Sequence, residues 1–227
     1  MQNSPLPSGD DAPAAARPAD APRGRVPRAE REQQMLDAAV LVFSRRGFHH
    51  ANMDEIAELS GVSKPMVYAY LGTKEELFIA CLRRESARLV AGLAAAADPT
   101  LPPDQQLWRG LKGFFEFVGA HRDGWSVLYR QARTQQPFSV EVAAMREAVV
   151  EVITDRLDGA LRLEGRQVKP DDLTAMALTL VGASESLADW LADHPDEDPG
   201  RTATRLMNAV WLGADQLMRG VSWRPPA

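Results

Sequence analysis

Between Asn52 and Leu77 the chain starts three helices and stops two of them at glycine. Asn52 stands before Met53 with Glu55 three positions on, an asparagine form of the capping box. The amide oxygen accepts from the opening turn while the Glu carboxylate reaches back. Asp54 and Glu55 set negative charge against the positive end of the helix dipole. Ile56, Ala57 and Leu59 supply an apolar face, and Gly61 offers the positive φ that ends a helix at low cost. Ser63 opens the next helix, with Pro65 near its front, where a missing N–H costs nothing. Val62, Val67 and Leu71 form its inner face, and Gly72 stops it after roughly two turns, about 10 Å. Thr73 and Glu76 then form a full capping box for a third helix.

Two short helices joined by a tight glycine turn, the second facing outward, make a helix-turn-helix. A corner in an ordinary helical bundle has the same outline. The outer face separates the two readings. With Val67 and Leu71 turned inward, Lys64, Met66, Tyr68, Ala69 and Tyr70 remain, and two tyrosines and a lysine suit phosphate and base contact. Lys64 is the expected direct reader, with guanine O6 and N7 its natural targets, and Met66 suits a thymine methyl. Tyr68 is expected on phosphate. Tyr70 has the same option beside a packing role at the helix end.

The stretch from Gln34 to about Leu82 resembles the TetR family of transcriptional repressors. The resemblance rests on Ala38-Ala39, Phe43, Gly47, Asp54-Glu55-Ile56-Ala57, Gly61-Val62-Ser63, Val67-Tyr68, Tyr70 and Gly72-Thr73-Lys74-Glu75-Glu76-Leu77. It implies that Lys64, Pro65, Met66, Tyr68, Ala69 and Tyr70 lie where the family's recognition helix meets double-stranded DNA. Lys74 matches the family's phosphate-gripping lysine, and Asn52 stands where many members carry a capping, phosphate-touching threonine. Ala69 departs from the larger residue common there, which puts one base contact in doubt, and Leu71 replaces a common Phe.

Charge is divided along the chain. The net charge of −5 argues against a uniformly basic nucleic-acid binder. From Arg23 to Lys74, however, eight Lys or Arg face six Asp or Glu, whereas from Ala91 onward fourteen face nineteen. The basic part coincides with the reading head. The single cysteine, Cys81, excludes a disulfide framework within the chain and fits a cytoplasmic location. It shares an apolar face with Leu77 and Phe78, as a small buried hydrophobe does. No stretch has the apolar length of a membrane span, and, with no long apolar core near the amino terminus, a secretory signal is not expected.

The whole reads as all-α: an N-terminal three-helix bundle holding the helix-turn-helix, then a C-terminal helical domain. Residues 1–27 are expected to be a disordered tail, poor in large apolar side chains, with Arg17, Arg23, Arg25 and Arg28 giving it the option of an arm along DNA. The DNA-binding domain is assigned to 28–75 and the ligand-binding and dimerisation domain to 76–227. Helical periodicity predicts a bracing helix from Arg28 to Arg46, closed by Gly47, and a long helix from Thr73 to about Ala97. Further helices are expected over Asp104–His121, Asp123–Thr134, Val140–Leu163, Asp171–Asp193 and Gly200–Gly220.

Aromatics gather in the middle helices. Trp108, Phe115, Trp125 and Tyr129, with Met145 and Met176, are the candidate lining of a small-molecule effector site. Singly, each is more readily explained as core. Glu116, Tyr129, Arg130 and Gln131 are candidate polar groups. The last two long helices carry more apolar residues than one shallow face needs: Leu178, Val181, Gly182, Ser186, Leu187 and Trp190, then Met207, Val210, Trp211, Ala214 and Met218. Paired with their symmetry mates they form a four-helix bundle, so a homodimer is expected. No nucleophile elbow, phosphate loop, HExxH helix or paired zinc motif occurs, so neither enzyme activity nor a cofactor is expected. His49 and His50 lack two further ligands at sensible spacing for a metal.

Overall fold

Each of the three starts between Asn52 and Leu77 does begin a helix. A computed structural model describes residues 26–96, 98, 100–163 and 168–219. Within them α1 spans Arg28–His50, α2 Met53–Leu59, α3 Lys64–Leu71 and α4 Lys74–Ala96. The second part comprises α5 (Pro103–Ala120), α6 (Arg122–Trp125), α7 (Phe138–Leu163), α8 (Pro170–Asp193) and α9 (Pro199–Met218). No strand occurs among the described residues. Most of the tail expected over 1–27, with Arg17, Arg23 and Arg25, lies outside them.

Local chemistry explains the boundaries. Asn52 Oδ1 accepts from Asp54 N–H at 2.9 Å. Thr73 and Glu76 close their box in both directions, Glu76 N–H to Thr73 Oγ1 at 3.2 Å and Thr73 N–H to Glu76 Oε2 at 2.7 Å. Helix α1 is broken near its end by Gly47 at φ 74°, where the bracing helix was expected to stop.

Ser63 does open α3 as its N-cap residue, without a side-chain cap hydrogen bond. Three expectations need correction. Glu55 does not reach back to Asn52; its carboxylate lies instead 3.6 Å from Arg46 Nε on α1, a loose surface ion pair. Leu59 is 53% exposed, and the buried face of α2 is Met53, Ile56 and Ala57. Steps of three and four put those three on one side, whereas Leu59 lies about 200° from Ala57. Finally, Asp123–Thr134 is not one α-helix. After α6 the chain widens into a π-helical turn over Ser126–Gln131 and tightens into a 3₁₀ turn over Ala132–Thr134.

Burial organises the molecule into a main core and two smaller ones. The first gathers Met35, Ala39, Val42 and Phe43 of α1, Ile56 of α2, Val67 of α3, and Leu77, Phe78, Cys81 and Leu82 of α4. It does not close there, because Val127 and Ala132 and then Phe138 and Val142 of α7 belong to it too. The second core joins Leu111, Phe115 and Val118 of α5 to Trp125, to Ala188 and Leu191 of α8, and to Ala203 and Leu206 of α9. The third pairs Val150 of α7 with Ala177 and Val181 of α8.

Cys81 sits wholly inside the first core, and burial pushes its thiol up to about 12. Since the thiolate is the nucleophile, a disulfide-exchange reagent at pH 8 should leave the native chain unmodified and titrate one thiol once denaturant is added. Stoichiometric labelling of native protein within minutes would contradict this placement.

Candidate nucleic-acid interface

Helix α3 is held by two side chains and presents the rest. Val67 and Leu71 are buried. Lys64, Pro65, Tyr68 and Ala69 are exposed, Tyr68 to 44%. Met66 is half-buried. Tyr70 is also half-buried, packed on the first core with the Arg28 guanidinium 4.9 Å above its ring. That takes Tyr70 toward the packing role and gives Arg28, at the start of α1, a fixed position beside the reading helix.

The flanking groups are fixed too. Asn52 is exposed at the front of α2. Lys74 at the front of α4 donates to His49 O at 3.0 Å, and its ammonium lies 5.0 Å from the Phe48 ring centre. One carbonyl uses one of three ammonium protons. Lys64 is anchored as well: its Nζ lies 3.0 Å from Asp54 Oδ2, and that carboxylate raises the ammonium above its ordinary value. No helical periodicity signals a pair ten residues apart across a turn.

Gly72 holds the junction of α3 and α4 at φ 71°, ψ −147°, a region that only glycine enters freely. A methyl group there would overlap the Glu76 carboxylate that caps α4. Gly72→Ala should therefore cost about 2 kcal/mol, combining backbone strain with a weakened cap. Urea unfolding reads this, and a loss below about 0.5 kcal/mol would refute it.

The candidate effector residues do not form one wall. Trp125 is buried, stacks on Tyr129 with ring centres 3.9 Å apart, and donates from Nε1 to Asp189 Oδ1 at 2.9 Å. Phe115 is buried in the same core, and Tyr129 packs against both the first and second cores. Burial, with Glu185 nearby, pushes the Tyr129 phenol up to about 12. Met145 packs on the first core. Trp108 stands apart on α5, 38% exposed, with the Lys112 ammonium 5.5 Å from its ring centre. Met176 is half-buried on α8. Of the candidate polar groups, Glu116 pairs with Lys112 on the surface of α5, and Arg130 reaches the Asp189 carbonyl and the Asp193 carboxylate.

Sequence reasoning missed the ion pair between Arg146 of α7 and Glu185 of α8, 3.1 Å apart with Glu185 buried. It also missed how the segment from α6 through the π turn is tied on both sides. Arg122 Nη1 donates to the Leu191 and Ala192 carbonyls at the end of α8, at 2.6 and 3.1 Å. Toward α1, Ser44 Oγ meets Asp123 Oδ1 at 2.8 Å, and Gln131 Nε2 donates to Phe43 O at 2.6 Å. Gln131 Oε1 is buried without a partner. Where this segment meets α1, α4 and α5 lies a cleft of about 370 Å³ lined by Asp37, Arg84, Glu85, Arg88 and Arg122.

A short, solvent-facing second helix on a three-helix head, flanked by fixed cations, defines a helix-turn-helix DNA-binding regulator. Comparison with known proteins agrees. Residues 35–81 match the family described as bacterial regulatory proteins, tetR family, and residues 103–213 match the tetracyclin repressor-like C-terminal domain. The chain belongs to the TetR family of transcriptional regulators, and is a DNA-binding transcription regulator rather than an enzyme. It is 32% identical over 190 residues to the HTH-type transcriptional activator FasR of Mycolicibacterium smegmatis, covering 83% of this chain and 85% of that protein. It is 26% identical over 215 residues to the regulator EthR of Mycobacterium tuberculosis, covering 87% and 94%. Among solved structures, a TetR-like transcriptional regulator from Rhodococcus sp. RHA1 superposes with a TM-score of 0.72 at 46% identity, covering 84% of this chain and 99% of that one. No helix among the described residues is long and apolar enough to cross a membrane.

Proposed function

We propose that this chain is a cytoplasmic, ligand-responsive transcriptional repressor. It binds a near-palindromic operator as a homodimer and is released by a small apolar effector. The domains divide at about residues 28–75 and 76–227. Asn52, Lys64, Pro65, Met66, Tyr68, Ala69, Tyr70 and Lys74 form the DNA-contacting set, with Tyr70 acting chiefly by packing. The effector is taken between the helices around Trp125 and Tyr129, with Phe115, Met145 and Met176 around them and Trp108 at the margin.

The observation that carries this reading is the exposed face of α3 on a head whose core continues into the helical domain. A ligand that repacks the Trp125–Tyr129 stack disturbs a ring bonded to α8 and another seated on both cores. The two ties to α1 then transmit the change to the head. The response is limited by the ligand's differential affinity for the two poses. Much of α9 is used within the chain, Ala203 and Leu206 packing on α5. Exposed Leu178 and Leu212 remain as apolar surface for a second copy.

Activation is the second reading, favoured by the name of the FasR relative. A band-shift titration on the DNA upstream of the chain's own coding sequence tests the core of the proposal. The expected result is preference over a scrambled duplex, with two 24.9 kDa chains per shifted complex. Equal affinity for both duplexes would instead support a helical binding protein with a DNA-deficient helix-turn-helix.

A further inference from the structure

The front of α3 is short of negative charge. No acidic residue occupies its first turn and Ser63 supplies no side-chain cap, so its positive end and Lys64 stand together at the surface. Such an end attracts phosphate of any sequence. The compensating carboxylate comes from another helix. Asp54, in the first turn of α2, lies 3.0 Å from Lys64 Nζ while its own N–H donates to Asn52 Oδ1 at 2.9 Å. One short chain of contacts thus links Asn52, Asp54 and Lys64.

We propose that Asp54 is a positioning residue for DNA specificity, holding the Lys64 ammonium for a base edge and against capture by phosphate. This rests on Lys64 being the base reader. An ammonium has three donors. With one directed at Asp54, the remaining two match the O6 and N7 acceptors of a single guanine. A phosphate approaching the same ammonium would meet the Asp54 carboxylate at close range and be repelled, whereas a guanine edge carries no net charge. The acid therefore lowers affinity for unmatched DNA more than for the operator. The pair is exposed, so in the free protein it contributes little stability, and its effect appears in the choice of duplex.

The test uses the full chain and two duplexes of equal composition, one recovered by selection from a random library and one scrambled. Asp54→Asn keeps the shape and the N–H contact and removes the charge. Asp54→Asn should raise affinity for the scrambled duplex about 3- to 10-fold while changing the selected duplex less than about 2-fold. The salt dependence on scrambled DNA should steepen by about one unit, as one more phosphate is engaged. Lys64→Ala should lower discrimination, and Asp54→Asn added to it should give no further gain on scrambled DNA. The tether is overturned if Asp54→Asn leaves the ratio of affinities unchanged, or if it raises scrambled binding equally with and without Lys64. A Lys64→Ala chain that discriminates like wild type overturns the base-reading role itself, and the proposal with it.

Discussion

Phe78→Ala should lower the folding free energy by about 4 kcal/mol, the range for emptying a large buried aromatic site. Phe78 is fully buried on α4. Its ring meets Phe43 at 4.9 Å and 87°, Phe48 at 5.2 Å and 67°, and Phe138 at 4.4 Å and 48°. Edge-to-face and tilted contacts of this kind add to the area each ring buries. The walls of the resulting cavity come from α1, α4 and α7, three helices already braced by other contacts, so the site collapses only partly. Urea unfolding of the variant reads the loss directly. A change below about 2 kcal/mol would mean that the aromatic cluster is not a packed core. Because Phe138 belongs to the helical domain, the same cavity removes a contact between that domain and the head.

Glu85→Ala should cost about 3 kcal/mol for a different reason, the loss of the buried carboxylate that compensates the largely shielded Arg84. Glu85 is 2% exposed. Its Oε1 accepts from Arg84 Nε at 3.0 Å and from Arg88 Nη1 at 3.1 Å. Arg84 also reaches Asp37 of α1 at 2.8 Å. On the far side the carboxylate lies against Gly124, where an added methyl would stand 2.5 Å from Oε2. Removing the acid leaves the shielded Arg84 with only the more exposed Asp37 as a carboxylate partner. A buried ion pair is itself weak evidence of net stability, so Arg84→Met combined with Glu85→Leu should recover most of the loss. Equal destabilisation by the single and double variants would show that packing volume, not the stranded charge, sets the cost.

The reading head was legible because its signals are local. A capping oxygen and its N–H lie two or three residues apart, so Asn52 and the Thr73–Glu76 box show in the sequence. Gly72 adopts the positive φ that its place after two helical turns demands. Leu59 stands three residues from Ile56, but the buried face is centred on Met53, Ile56 and Ala57 together, and that direction turns Leu59 outward. Glu55 and Ser63 show the limit of local rules, since a capping group can be drawn to a distant partner such as Arg46, or left unused.

The effector region was less legible. Aromatic content in α5 to α7 marks a region with large side chains but not which of them meet. The structure brings Phe115, Trp125 and Tyr129 to shared cores and leaves Trp108 at the surface. Gln131 was singled out as a polar group, yet its amide is used to hold the Phe43 carbonyl of α1. The π turn had no sequence signature. Its wider winding is accompanied by bonds to α8 and α1 made by Arg122, Trp125 and Gln131, partners far away in sequence.

Helix starts, glycine stops and the inward pair Val67 and Leu71 were settled by the sequence alone, because each depends on neighbours within one or two turns of chain. Which charges pair, which aromatics share a core, and how the head joins the rest were decided only in three dimensions. Those contacts link residues such as Asp54 with Lys64, Glu85 with Gly124, and Phe78 with Phe138, whose separations along the chain bear no relation to a helical period. Packing selects among many such partners by geometry, and geometry exists only once the helices have been laid against one another.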